Sequence, residues 1–360
     1  MTSEDLLSQT IQYVRFPLTI AVVFIHCDTG VFQAFYQAGT WIWLSYTIKI
    51  LSHIIPAICV PLFFFISGYL FFNKSRFSIY IYINKLRSRY HTLMTPYIIW
   101  NFIGFLILLI KMHPRFSFLF PSLQGYRIDI VVFLRSFWET NLPKEVNVGG
   151  PIDYPLWYVR DLILLIFLSP VIYWLTRKLN ICLVILGGII WFYGGRFHLA
   201  FAIFDCQSLF FFPLGAYFSI NHLNFLKMIN NASWAPFTYI ICVLGEAYCE
   251  TSFNCFWIHK FGILIGMISV FYITSSLLLK QMISVNDYLS NASFFVYALH
   301  GLLITKFMNA SMLLLQPNSP FVVLLIYFIV PITTIFVCLF LHRMLWRFFP
   351  SFSKMITGGR

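Results

Sequence analysis

Apolar residues in this chain run in long blocks, and the short polar clusters between the blocks hold most of the basic residues. Blocks long enough to cross a bilayer as helices fall at roughly 11–30, 48–72, 92–112, 156–176, 181–197, 200–219, 234–250, 260–280, 287–308 and 321–342. The pattern predicts an all-α, polytopic membrane protein with about ten transmembrane helices. No internal repeat or separate soluble domain is visible, so residues 1–360 read as a single transmembrane domain.

The basic residues orient this arrangement. Lys74, Arg76, Lys85, Arg87 and Arg89 crowd the connection at about 73–91; Arg177, Lys178, Lys227, Lys280, Arg343, Arg347 and Lys354 follow later blocks. With ten spans all of them share one side, which the positive-inside rule makes cytoplasmic, and both termini are then expected there. The long connection at about 113–155 is expected outside; its Gly149, Gly150, Pro151 and Pro155 argue against a further span. Glu4 and Asp5 precede Arg15 with no basic residue before it, so the first helix lacks the basic start of a cleaved leader and is expected to be retained.

Composition agrees with the pattern. The chain is 60% hydrophobic and only 10% charged, with mean hydropathy +0.81, against roughly 25% charged residues in soluble domains. The formal charge of +12 does not mark a nucleic-acid binder, because the basic residues sit between apolar spans. The eight cysteines show no metal-ligand spacing, and no metal is expected. Cys249 and Cys255 fall near one outer connection and are the pair that can meet there.

One stretch, Tyr13 to Asp28, departs from the apolar rule. It carries Arg15 and His26, eleven positions apart. At about 100° per residue that is roughly three turns plus ~20°, so both residues lie on one helical stripe, about 16 Å apart along the axis. Ionisable side chains inside a membrane segment mark function more often than packing, and two on one stripe strengthen that reading. Asp28, two positions beyond His26, points to another face.

Further polar residues sit inside short recurring-looking strings: PLFFFISGYLFF with Ser67 and Gly68, KLRSRYHTLMTPYIIW with Lys85, Arg87, Arg89, Pro96 and Tyr97, PLWYVRDLIL with Trp157, Arg160 and Asp161, FFPLGAYFS around Gly215, and FFVYALHGLLI with His300. Together with the Arg–ten residues–His pattern of Arg15 and His26, and in this order, the set resembles the integral-membrane acyltransferases of the acyltransferase-3 type, which O-acylate bacterial surface polysaccharides and related acceptors. The basic string departs from the Arg-x-x-Arg form of some members. The resemblance implies a bacterial inner-membrane enzyme that moves an acetyl or short acyl group from cytoplasmic acyl-CoA to a hydroxyl of a lipid-linked sugar or cell-surface glycan. Acetyl-CoA then enters as a substrate, with no permanently bound cofactor.

On that reading His26 is the natural base, since histidine titrates near neutrality. His300 is a second base, an orienter or a core histidine, and Asp161 is a candidate partner for His26. Arg15, Arg87 and Arg89 are the candidate phosphate ligands of the donor. Ser67 is a packing serine beside Gly68 or, less expectedly, a nucleophile. Trp157, Arg160 and Glu246 are placed on the acceptor side, Glu246 sharing a helix face with Glu250. The rival reading is a secondary transporter for a small polar or anionic substrate, with Pro56 and Pro61 interrupting a helix along its pathway; a purely structural membrane subunit is the third.

Overall fold

In the computed structural model a helix lies under each of the ten apolar blocks, and no β-strand occurs among the described residues, which are 2–37, 41–73, 77–115, 123, 127–138, 150–194, 204–249 and 253–359. Lys74, Arg76, Gly149 and Glu250 of the readings above lie outside them.

Helix α1, Ser3–Ile25, opens with a capping box: the Thr2 hydroxyl accepts from the Asp5 N–H, and the Asp5 carboxylate accepts from the Thr2 N–H. It is followed by α2 (Gly30–Gln37) and by α3, which runs continuously over Ile42–Phe72. Pro56 removes one backbone donor from α3, and around it the helix passes through a π turn at Ile50–Ile54 and a tight 3₁₀ turn at Ile55–Ile58. The same happens in α4, Ile79–Met112, where a π turn at Tyr90–Met94 precedes Pro96.

A short α5 (Ile130–Arg135), capped by Asp129, leads towards α6 (Trp157–Phe167) and α7 (Ser169–Leu179). The block expected as one span at 156–176 is bent by 67° between these two helices, where Pro170 cannot continue the hydrogen-bond ladder. Then come α8 (Ile181–Gly194), α9 (Cys206–Ile220), α10 (Phe225–Met228), α11 (Ala235–Tyr248), α12 (Phe253–Leu279), α13 (Asp287–Leu315), α14 (Pro320–Phe348) and a docked C-terminal α15 (Pro350–Thr357). Five of these helices, α3, α4, α12, α13 and α14, are long and apolar enough to cross a membrane, and the bent α6–α7 pair makes a sixth; α8, α9 and α11 are apolar but shorter. Rows of exposed large side chains, such as Phe237, Ile240, Ile241 and Leu244 on α11 and Phe321, Leu325, Phe336 and Phe340 on α14, give the outer surface the apolar character that lipid requires.

Helix α1 stands in the centre, packed by α3, α12, α13 and α14. Its last carbonyls lack intrahelical partners; one of them, Phe24 O, accepts from the Ser52 hydroxyl in the π turn of α3, which Tyr327 of α14 also reaches at 2.6 Å. Helices α3 and α9 touch backbone to backbone. A β-carbon at Gly68 would overlap the Phe212 carbonyl, and one at Gly215 would overlap the Phe65 carbonyl, so the Ser-Gly and Leu-Gly strings are packing devices.

The connection at 113–155, expected as an outer loop, is not exposed throughout. Its end, residues 150–156, is largely buried between α4 and α13 as an irregular strap that closes in a single 3₁₀ turn at Tyr154–Leu156. Gly68→Ala and Gly215→Ala should each lower thermal stability by at least the ~1–3 kcal/mol of an overpacked core, because only backbone is available to yield. Gly262→Ala, whose β-carbon would meet Cys242 Cβ at an ordinary 3.5 Å, is the control; melting of the purified variants in detergent makes the comparison.

Candidate active site

Helix α1 delivers His26 at its C-cap, where φ −92° and ψ 5° turn the chain out of the helix. Its imidazole lies stacked on His300 of α13, with ring centres 5.3 Å apart and planes at 29°. The ring of Tyr154, from the strap, stands nearly perpendicular to it, with centres 4.7 Å apart and planes at 83°. His300 is fully enclosed, and its Nδ1 lies 3.2 Å from the Val296 carbonyl, so Nδ1 carries the proton and donates while Nε2 keeps the lone pair. Parallel stacking does not align an N–H of one ring with a lone pair of the other. His300 is therefore a wall behind His26 and not a hydrogen-bonding orienter. His26 is only partly buried, whereas His300 is enclosed.

A cavity of about 260 Å³ lies along the same α1 face, lined by Arg15, Thr19, Ser67, Arg89, Tyr158 and Tyr297 among apolar residues. Tyr297 is on its wall, and the ring of Tyr297 is 6.0 Å from that of His300. Arg15 also lines a second, more polar cavity of about 370 Å³ with Glu4, Ser8, Gln12, Asn73, His222 and Asn224. Arg89 likewise borders a third, of about 340 Å³, with Arg87, Leu86, Tyr90 and Phe167. Arg15 and Arg89 both line the first cavity, and among the described residues neither forms an ion pair with a carboxylate. Two guanidiniums gathered at one cavity make a site for a multiply charged anion.

The other expected residues are placed as follows. The Ser67 hydroxyl is 2.9 Å from that of Tyr158, on the cavity wall. Trp157 packs against Phe64 in the core. Asp161 is not brought to the histidines: one carboxylate oxygen accepts from Arg160 at 3.0 Å, and the other accepts from the Asp205 N–H at 3.0 Å. Arg160 spans from there to the Trp138 carbonyl and stacks on the Trp138 ring. Glu246 pairs with His259 at 2.8 Å, away from the cavity lining. Cys249 and Cys255 are both free thiols, Cys255 Sγ donating to the Cys249 carbonyl. Asp28 pairs with His53 at 2.7 Å.

Tyr154, Tyr158 and Tyr297 shape the site without having been singled out in the sequence, although two of them stand inside quoted strings. The signal was their spacing from His300 and Trp157, one helical turn or one residue away.

Comparison with known proteins gives this arrangement its class. The model of the acyltransferase-3 family, described as an acyltransferase domain, matches residues 9–354. The chain therefore belongs to that family, and it is a multi-pass membrane acyltransferase. Along 374 aligned residues it is 24% identical to the succinoglycan biosynthesis protein ExoH of Rhizobium meliloti (strain 1021), an alignment that takes in 98% of this chain and 92% of that protein. No solved structure matches the chain. The family decides the choice left open between an enzyme and a transporter.

Asp153, next to Tyr154, is fully buried and neither carboxylate oxygen has a hydrogen-bond partner. Burial pushes this carboxyl well above the usual range, so the folded state holds the proton that the unfolded chain loses near pH ~3.9. The stability this group contributes is complete below that pH and falls as pH rises towards the folded pKa. Asp153→Asn removes the slope. Its melting temperature should gain on the wild type steadily between pH 4 and 8, as read by paired thermal melts across that range.

Proposed function

We propose that the protein transfers an acetyl or similarly short acyl group from acyl-CoA to a hydroxyl of a lipid-linked sugar or cell-surface glycan, in the bacterial cytoplasmic membrane. One observation carries the reading: a cavity lined by Arg15 and Arg89 also takes in Tyr297, whose ring is 6.0 Å from His300 of the His26–His300 stack. Arg15 and Arg89 would hold the donor's phosphates, with Arg87 at the rim of the adjoining cavity. Arg15 to His26 is about 16 Å along the helix, on the order of the pantetheine arm. The largely apolar middle of the cavity suits that arm.

The chemistry then needs one base. His26 takes the proton of the acceptor hydroxyl as its oxygen attacks the thioester carbonyl. The carbon–sulfur bond breaks, and the proton passes from the imidazolium to the departing thiolate, leaving ester and free thiol. The resemblance to a succinoglycan biosynthesis protein supports a polysaccharide acceptor. The basic residues support an orientation with ten spans, both termini and the Arg15 end facing the cytoplasm, where acyl-CoA is made.

His26→Gln keeps a hydrogen-bonding side chain but cannot accept the proton. It should lower turnover by ~10²–10⁴-fold with the donor's KM unchanged, measured as ester formation by membranes at matched expression; near-full activity would remove His26 as the base. Arg15→Ala and Arg89→Ala should chiefly raise the donor's KM, and Arg15→Lys should restore only part of the loss if the contact is bidentate.

Orientation has its own check. In intact cells a cysteine placed at Ser78 should resist an impermeant thiol reagent and one placed at Asp129 should react; the reverse pattern turns the molecule over.

A further inference from the structure

Irregular backbone deep in a helical bundle persists only when the protein itself satisfies its polar groups. The strap does this through side chains of the surrounding helices. The Asp153 N–H donates to Asn101 Oδ1 of α4 at 3.2 Å, the Pro155 carbonyl accepts from the Tyr297 hydroxyl of α13, and the Ile152 N–H donates to the Ser136 carbonyl at 2.8 Å. Gly301, also on α13, makes the room: a β-carbon there would stand 2.5 Å from Pro155 Cγ and 3.2 Å from Asp153 Oδ1. The strap is thus fastened on both sides of Tyr154. The backbone on either side of Tyr154 is therefore fixed, and its ring stands nearly perpendicular to that of His26, with centres 4.7 Å apart.

His26 needs such support. It sits where α1 has already ended, with a partly open edge. The His300 ring restrains one face, and Tyr154 supplies the other contact. We propose that Tyr154 is the positioning residue of His26, clamping its imidazole on His300 so that the proton-accepting nitrogen stays aimed at the reacting hydroxyl. This rests on the reading of His26 as the base. A misplacement of about 1 Å costs on the order of 10²-fold in turnover, which sets the expected size of the effect.

The test joins kinetics to a probe of the ring itself. Tyr154→Ala should lower kcat by about 10–100-fold with the donor's KM unchanged, and it should speed carbethoxylation of His26 by diethyl pyrocarbonate, followed by peptide mass spectrometry in detergent. Tyr154→Phe retains the ring against His26 and should recover kcat to within a few-fold of wild type. Tyr154→Leu fills much of the same space without an aromatic edge; it should behave like the alanine variant, and it serves in its place if that variant does not fold. Unchanged kcat in the alanine and leucine variants overturns the proposal. So does a fall in kcat with no change in His26 modification, since Tyr154 would then act on something other than the histidine. Failure of the base reading looks different: His26→Gln would be active while Tyr154→Ala still exposed His26 to the reagent.

Discussion

Water is absent from the middle of an apolar bundle, so every N–H and C=O there must find its partner inside the protein. That constraint governs the places where this fold stops being helical. Where α1 ends, the Ser52 hydroxyl reaches Phe24 O; where the strap dips inward, Asn101 and Tyr297 meet its backbone. The π turns before Pro56 and Pro96 answer the same demand within single helices. A helix that ran on past Ile25 would leave His26 on a continuous cylinder; ending it there turns the ring towards α13 and the strap.

Much of this was legible in the sequence, for definite reasons. Arg15 and His26 stand out because charge and imidazole are rare in apolar blocks, and helix periodicity puts them on one stripe. Gly68 was readable as a packing position from its Ser-Gly pair, and the structure matches it with Gly215 in reciprocal contacts of α3 and α9. His300 was visible as a mid-span histidine, but its stacking on His26 depends on how α1 and α13 cross, which no local pattern encodes. Arg160 and Asp161 read as possible site residues because they are charged; tertiary structure ties them instead to Trp138 and to the start of α9.

The strap was the part least open to reading. Glycine and proline at Gly149–Pro155 signal an irregular segment, and an irregular segment between spans is ordinarily a surface loop. What reverses the inference is a set of partners more than fifty positions away, among them Asn101, Tyr297 and Gly301. Tyrosines were equally hard to weigh. With 20 of them in the chain, a single phenol carries little information until its hydroxyl is seen to hold a strap carbonyl or its edge to touch a histidine.

Distance separates the roles of the charged and neutral ends of α1. At about 16 Å and an effective dielectric near 20, a unit charge at Arg15 changes the energy of a proton on His26 by only about 1 kcal/mol. The arginines can therefore gather an anion at one end without fixing the protonation of the imidazole at the other. Its state and aim belong to the groups within about 5 Å, namely the His300 face and the Tyr154 edge. Neither carries a charge in its neutral form, and the described ion pairs engage Asp28 with His53 and Asp161 with Arg160. A base in such a place is held by shape more than by charge. That makes the geometry of the strap, and not the electrostatics of the cavity, the feature on which turnover should depend most sharply.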